Sequence, residues 1–222
     1  MSAVVKTIPP VRRQSPAPPS DEQAAEHIPL LYRFSVEQYE KMLETAVLSS
    51  ADRVELIEGI VVQKMTQHPP HAVAIDYTMD ALRSLLPEGW RLREQKPIKL
   101  SDSEPEPDLI IVRGPLQRYE TRHPRPADIA VVIEVADTSL EGDRGDKGRM
   151  YARARISVYW IINLNERQIE VYTEPKGGKS PAYRRRTDYG MDTRVPLVME
   201  GREVNSVSVS DFLPSTAPRL SS

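Results

Sequence analysis

The sequence predicts one mixed domain, α/β or α+β in class, with a mixed central β-sheet flanked by helices. Three observations carry this. Short β-rich runs alternate with segments of helical period between residues 28 and 213. Hairpin signals interrupt that alternation, so the sheet cannot be wholly parallel. The run Asp128–Val135 is almost continuously apolar, as expected of a central strand covered on both faces.

Composition narrows the functional classes. The chain has 222 residues, 39% of them hydrophobic, which suits one domain with a sizeable core. It has no cysteine, which excludes disulfides, thiolate zinc sites and cysteine nucleophiles and suits a reducing compartment. The formal net charge of -2 argues against non-specific coating of nucleic acid, so any nucleic-acid contact must rest on a local patch. No apolar run approaches the roughly 18 residues of a membrane span. Lys6, Arg12 and Arg13 are not followed by an apolar stretch of the secretory kind, so the expected location is cytoplasmic, away from membranes. Residues 1–27, with Pro9, Pro10, Pro16, Pro18 and Pro19, read as a disordered arm, and residues 214–222 as a disordered tail.

The elements between follow in order. Ser35 and Gln38 form a capping-box pattern that opens a helix expected to reach about Leu48. Arg53–Ile57 and Ile60–Met65 flank Glu58-Gly59 and predict a hairpin with Gly59 at a positive-φ position. Pro69-Pro70 is expected to stop the second strand, and His71–Leu86 to form an amphipathic helix. Trp90–Leu100 predicts a third strand, at an edge or bulge near Pro97, and Asp108–Val112 a fourth. After a Pro-rich loop comes the Asp128–Val135 strand, then a helix from about Asp143 to Arg155. Ser157–Leu164 and Gln168–Thr173 predict two more strands, with weaker signals at 182–185, 195–198 and 204–209.

Chemistry concentrates between Glu104 and Tyr151. Glu134 closes an apolar strand whose alternation puts Ile129, Val131, Ile133 and Val135 on one face and Ala130, Val132 and Glu134 on the other. A carboxylate there is costly to bury unless it is paired or bound to a cation. Asp108 stands at the start of another apolar strand, pinned by Pro107. Asp143, Lys147, Met150, Tyr151 and Ala154 share one helical stripe, which turns Lys147 inward, within reach of Glu134. Two carboxylates with open positions suit Mg²⁺, which prefers oxygen ligands and keeps waters for a substrate phosphate. The expected site is therefore a metal centre for phosphodiester hydrolysis, with Asp108 and Glu134 as ligands and Lys147 beside the attacking water. The plainer reading of the same residues is a structural ion network.

At these positions the chain resembles a known family. Pro107-Asp108 followed by Glu134-Val135-Ala136 is similar to the PD-(D/E)XK nuclease superfamily, and more narrowly to its Uma-two family. The matching phrases are Ser103-Glu104-Pro105-Glu106-Pro107-Asp108-Leu109, Arg122-His123-Pro124-Arg125-Pro126, Val132-Ile133-Glu134-Val135-Ala136-Asp137, Asp143-Arg144-Gly145-Asp146-Lys147 and Tyr159-Trp160-Ile161-Ile162-Asn163. The resemblance runs from about Phe34 to about Gly190. It implies a restriction-endonuclease-like core and a Mg²⁺- or Mn²⁺-dependent endonuclease acting on DNA. It places the superfamily's lysine at Lys147 rather than Ala136, adds Glu55 to the catalytic set, and matches Gln95 and His71 to residues of the family. Two departures stand out: Arg155 where a glycine is expected after the helix, and Asn163 where aspartate is frequent. The alternative is a non-catalytic relative used for binding or assembly, its acidic cluster kept as an ion network; a two-fold homodimer is compatible with either. Read by their own surroundings, His71 suits a helix start, Tyr159 and Trp160 suit core packing, and Arg184-Arg185-Arg186 suits a solvated strand edge.

Overall fold

Local signals set the first elements. Ser35 Oγ accepts from the Gln38 amide at 3.2 Å while Gln38 Oε1 accepts from the Ser35 amide at 2.8 Å, and this reciprocal cap starts helix α1 (Val36–Glu44). The helix stops short of Leu48 because Ala46 takes φ 56° and turns the chain. Strands β1 (Val54–Ile57) and β2 (Ile60–Gln63) pair antiparallel around Glu58 (φ 48°) and Gly59 (φ 77°). Two positive φ angles in a two-residue loop match the twist of the strands. Gly59 is required for a second reason: a Cβ there would lie 2.7 Å from the Arg33 Cβ.

The computed structural model describes residues 30–215. Residues 30–32 are exposed, and residues 33–215 form the unit that holds every element named here. The arm expected over 1–27 lies outside the described residues, as does all but Pro214 and Ser215 of the expected tail.

Helix α2 (Pro69–Arg83) corrects one expectation. Pro69 and Pro70 do not merely stop β2; they fill the first helical positions, where a missing N–H costs nothing. Strand β3 (Trp90–Glu94) is also shorter than expected, because Gln95 takes φ 46° and breaks the extended chain. Ile98 and Leu100 are still buried, and their amides bond to Pro105 O (3.0 Å) and Ser103 O (2.9 Å) within a loop.

The central sheet has six strands in the order β3-β4-β5-β6-β7-β8, with β4 spanning Leu109–Arg113, β5 Ile129–Ala136, β6 Val158–Asn163, β7 Gln168–Lys176 and β8 Ala182–Gly190. Only the β5/β6 pair is parallel, so the sheet is mixed as expected. The β5–β6 crossover is helical: a turn Leu140–Gly142, a π-helical stretch Asp143–Lys147 and helix α3 (Gly148–Arg153). Arg155, in place of the expected glycine, itself takes the left-handed conformation (φ 62°) and donates from Nη1 to Pro175 O at 3.0 Å. Asn163 donates to Glu170 Oε1 at 2.8 Å and accepts from the Glu166 amide; an aspartate there would face a buried carboxylate. The hairpin of β9 (Arg194–Met199) and β10 (Arg202–Ser208) forms a separate two-stranded sheet.

Both faces of the central sheet are covered. On one, Leu109, Ile133, Trp160 and Ile162 pack with Ile75 and Leu82 of α2 and with Val195, Leu197 and Phe212. On the other, Ile110, Val132, Tyr159 and Ile161 pack with Met150 and Tyr151 of α3. Each large aliphatic so buried contributes about 1.5–3 kcal/mol. The strict alternation expected along β5 fails at its start. The β4/β5 register shifts between Ile111↔Val131 and Val112↔Ile129, so Ala130 is extra and Ile129 and Ala130 exchange faces. Beyond that bulge the alternation holds. No helix among the described residues is long and apolar enough to cross a membrane.

Candidate active site

Sheet register brings the first two carboxylates together. Leu109 of β4 pairs with Ile133 of β5, so the preceding Asp108 stands opposite the following Glu134. Asp108 Oδ2 accepts from the Val135 amide at 2.8 Å and lies 3.3 Å from His71 Nε2, and the Asp108 amide is 3.4 Å from Glu134 Oε2. The Val135 amide of β5 and the amide of Asp108, just before β4, thus each face a carboxylate of the pair.

The helical crossover supplies the cation. Lys147 Nζ lies 3.0 Å from Glu134 Oε2 and 3.2 Å from Asp143 Oδ1. The predicted stripe therefore describes the inward face, but the backbone there is π-helical rather than α-helical. The Asp143 carbonyl accepts from the Gly148 amide across this widened turn and also from the Tyr159 hydroxyl at 3.0 Å. Gly148 sits where a Cβ would approach that carbonyl at 3.3 Å.

Glu55 reaches the same place from the hairpin. Its Oε2 accepts from the Glu106 amide at 2.9 Å, and the hairpin is tied to the 102–106 loop by the Glu104 amide to Leu56 O and the Gly59 amide to Asp102 O, both 2.8 Å. Glu58, by contrast, points to α3, where Arg149 and Arg153 hold it by ion pairs and keep its carboxyl below the usual range. Its role is to dock the turn.

Asp108, Glu134, Lys147, Glu55, His71 and Gln95 all line one cavity of about 460 Å³. Within its wall, carboxylates outnumber lysine and arginine side chains seven to three. Such a surface attracts cations and repels an unaccompanied phosphate. Glu134 and Asp143 are each 1% exposed, whereas the Lys147 side chain keeps 24% of its surface. Burial pushes the Glu134 carboxyl above the usual range, and Lys147 offsets only part of that rise. Burial also opposes charge on Lys147, but Glu134 and Asp143 together outweigh it and hold the ammonium charged well above the usual range. Burial works against charge on His71 too, and the Asp108 contact reverses it, raising the imidazole above its ordinary value.

Two residues of the site were not singled out by sequence. Tyr151 donates to Glu134 Oε1 at 2.6 Å, although its place in an apolar stripe marks it only as core. Asp143 shares that stripe, four residues before Lys147, and that spacing was the one available signal.

The donor chemistry suits a hard divalent cation: Asp108, Glu134 and Glu55 offer carboxylate oxygens. Among the described residues, however, no three His, Asp or Glu side chains stand in a ligating arrangement. The geometric reason is visible. Both Glu134 oxygens are engaged, Oε1 by Tyr151 and Oε2 by Lys147. The ammonium sits on the carboxylate that an ion would share.

A mixed six-stranded sheet flanked by helices, with acidic strand ends beside an inward lysine, defines the α/β architecture, and comparison with known proteins narrows the class. Residues 36–205 match the Uma2 family, described as "Putative restriction endonuclease", and the chain belongs to that family. Among solved structures the fold is similar to "a putative nuclease belonging to DUF820 from Anabaena variabilis", with a TM-score of 0.56 and 17% identity over 81% of this chain and 97% of that one. No curated protein matches the chain.

Proposed function

We propose that the protein is a divalent-metal-dependent endonuclease that hydrolyses phosphodiester bonds of DNA. The observation that carries this reading is the convergence of Asp108, Glu134 and Lys147, from three different elements, on the wall of one electronegative cavity. Family membership supports the same reaction class.

Asp108 and Glu134 would hold Mg²⁺ or Mn²⁺, with Glu55 at the rim. When bound, such an ion polarises a phosphoryl oxygen and lowers the pKa of a water. Lys147, held charged, offers an N–H donor and a full positive charge to the negative charge that develops on the phosphate. Tyr151 fixes the Glu134 carboxylate by its 2.6 Å hydrogen bond, and His71 fixes that of Asp108 from the start of α2. The Tyr151 and His71 contacts orient the two carboxylates without substrate, which limits the reorganisation left to those two groups.

The test is cleavage of supercoiled, linear and single-stranded DNA with Mg²⁺ or Mn²⁺. Wild type should nick at least one of these, and Asp108→Asn, Glu134→Gln and Lys147→Ala should each lose at least about a hundredfold in rate. Wild type and Lys147→Ala equally inert on every substrate would remove the catalytic reading. One observation favours a second reading, a binding or assembly protein: Glu134, Lys147 and Asp143 already satisfy one another. Calorimetry showing no Mg²⁺ binding, and no change in Asp108→Asn, would select it.

A further inference from the structure

Lys147 has two carboxylate partners, and only Glu134 belongs to the pair assigned to a metal. Asp143 is the other. Its Oδ1 takes Lys147 at 3.2 Å, its Oδ2 accepts from Ser139 Oγ at 2.6 Å, and its carbonyl is held by Tyr159 at 3.0 Å. Asp143 is thus anchored on three sides and 1% exposed, with no freedom to follow Lys147 elsewhere. Glu134 is anchored at Oε1 by Tyr151, so its Oε2 is the oxygen for which Lys147 and a metal would compete. Lys147 and Asp143 lie on one π-helical stretch, so a change of partner needs only a side-chain rotation.

We propose that Asp143 is a positioning residue, a second seat that keeps the Lys147 ammonium inside the cavity when a divalent cation takes Glu134. This rests on the metal-dependent reading above. With Asp143 present, an arriving ion displaces Lys147 by a short distance onto a partner it already touches. Without that charge, Lys147 has Glu134 alone, and the ion must break the pair with nothing to receive the ammonium. The lysine and the metal are then linked through one carboxylate oxygen, and Asp143 sets the strength of the competition.

A double-mutant cycle on Mn²⁺ affinity, measured by calorimetry on the full chain without DNA, separates this from a general charge effect. Asp143→Asn should weaken Mn²⁺ binding about tenfold where Lys147 is present and by less than about twofold in a Lys147→Met background. Asp143→Glu, which keeps the charge, should recover most of the loss, and this arm needs no lysine variant if Lys147→Met fails to fold. The same factor for Asp143→Asn in both backgrounds, or no recovery in Asp143→Glu, overturns the second-seat role while leaving the metal site intact. Absence of Mn²⁺ binding in wild type and every variant overturns the metal-dependent reading itself, and the seat with it.

Discussion

Replacing Lys147 by methionine strands two carboxylates, Glu134 and Asp143, each 1% exposed. The Coulomb attraction lost is about 5 kcal/mol per contact for separations of 3.0 and 3.2 Å at an effective dielectric of about 20. Much of this is offset, because the ammonium regains hydration in the unfolded chain and the lysine side chain is 24% exposed even when folded. Breaking one side of a buried pair costs about 3–5 kcal/mol, and the partial exposure points to the lower end, about 3 kcal/mol. Against a usual total of about 5–15 kcal/mol this is a large fraction. Glu134→Gln removes one of the stranded charges and keeps the Tyr151 bond, so Glu134→Gln/Lys147→Met should be less damaged than the sum of the single variants by about 2 kcal/mol. Urea denaturation at pH 7, followed by the fluorescence of buried Trp160, measures all four corners of the cycle. The loss also depends on pH. In Lys147→Met the Glu134 carboxyl, already raised by burial, rises further without its cation, so the added penalty is absent below the unfolded pKa and grows as pH rises through the folded one. The deficit should therefore shrink between pH 8 and pH 5. Strict additivity to within about 0.5 kcal/mol, or a deficit that ignores pH, would refute the reasoning.

Other perturbations probe separate links. Tyr151→Phe leaves Glu134 Oε1 without its donor and should cost about 1–2 kcal/mol in urea denaturation with far-UV circular dichroism unchanged. Gly59→Ala forces a side chain to φ 77° and into the Arg33 Cβ, so a loss of about 2–4 kcal/mol is expected, with proteolysis reporting a loosened β1–β2 hairpin. Glu104 is 3% exposed, its Oε2 lacks a partner, and burial with the charge of Glu40 pushes its carboxyl from 4.5 up to about 7. A raised folded-state pKa destabilises the protein above the unfolded pKa, so Glu104→Gln should match wild type near pH 4.5 and exceed it by up to about 3 kcal/mol at pH 8, read from thermal melts.

Much of the site was legible because its signals are local. The capping box at Ser35, the turn at Glu58-Gly59 and the inward stripe through Lys147 each depend on neighbours a few residues away, and the structure shows all three. The departures arise where distant contacts override a local pattern. Strand β3 ends at Glu94 rather than Leu100 because the chain turns at Gln95 to pair with the 103–105 loop. Tyr151 reads as a core aromatic until Glu134 is seen to need a donor. The strand of 182–190 carries a weak pattern because its side chains are largely solvated and its pairing is made by backbone bonds, and in 194–199 only alternate residues, Val195, Leu197 and Met199, are buried over a run of six.

The sequence by itself determined that a mixed sheet would form, that β5 would be central, and that Asp108, Glu134 and Lys147 would end their elements facing the protein. It did so because apolar period and turn chemistry act over a few residues. Only the tertiary structure decided the Leu109↔Ile133 register that sets Asp108 beside Glu134, the bulge that exchanges Ile129 and Ala130, and the π-helical stretch that lets Lys147 reach two carboxylates. These depend on which surfaces meet across the core, and no short segment carries that information.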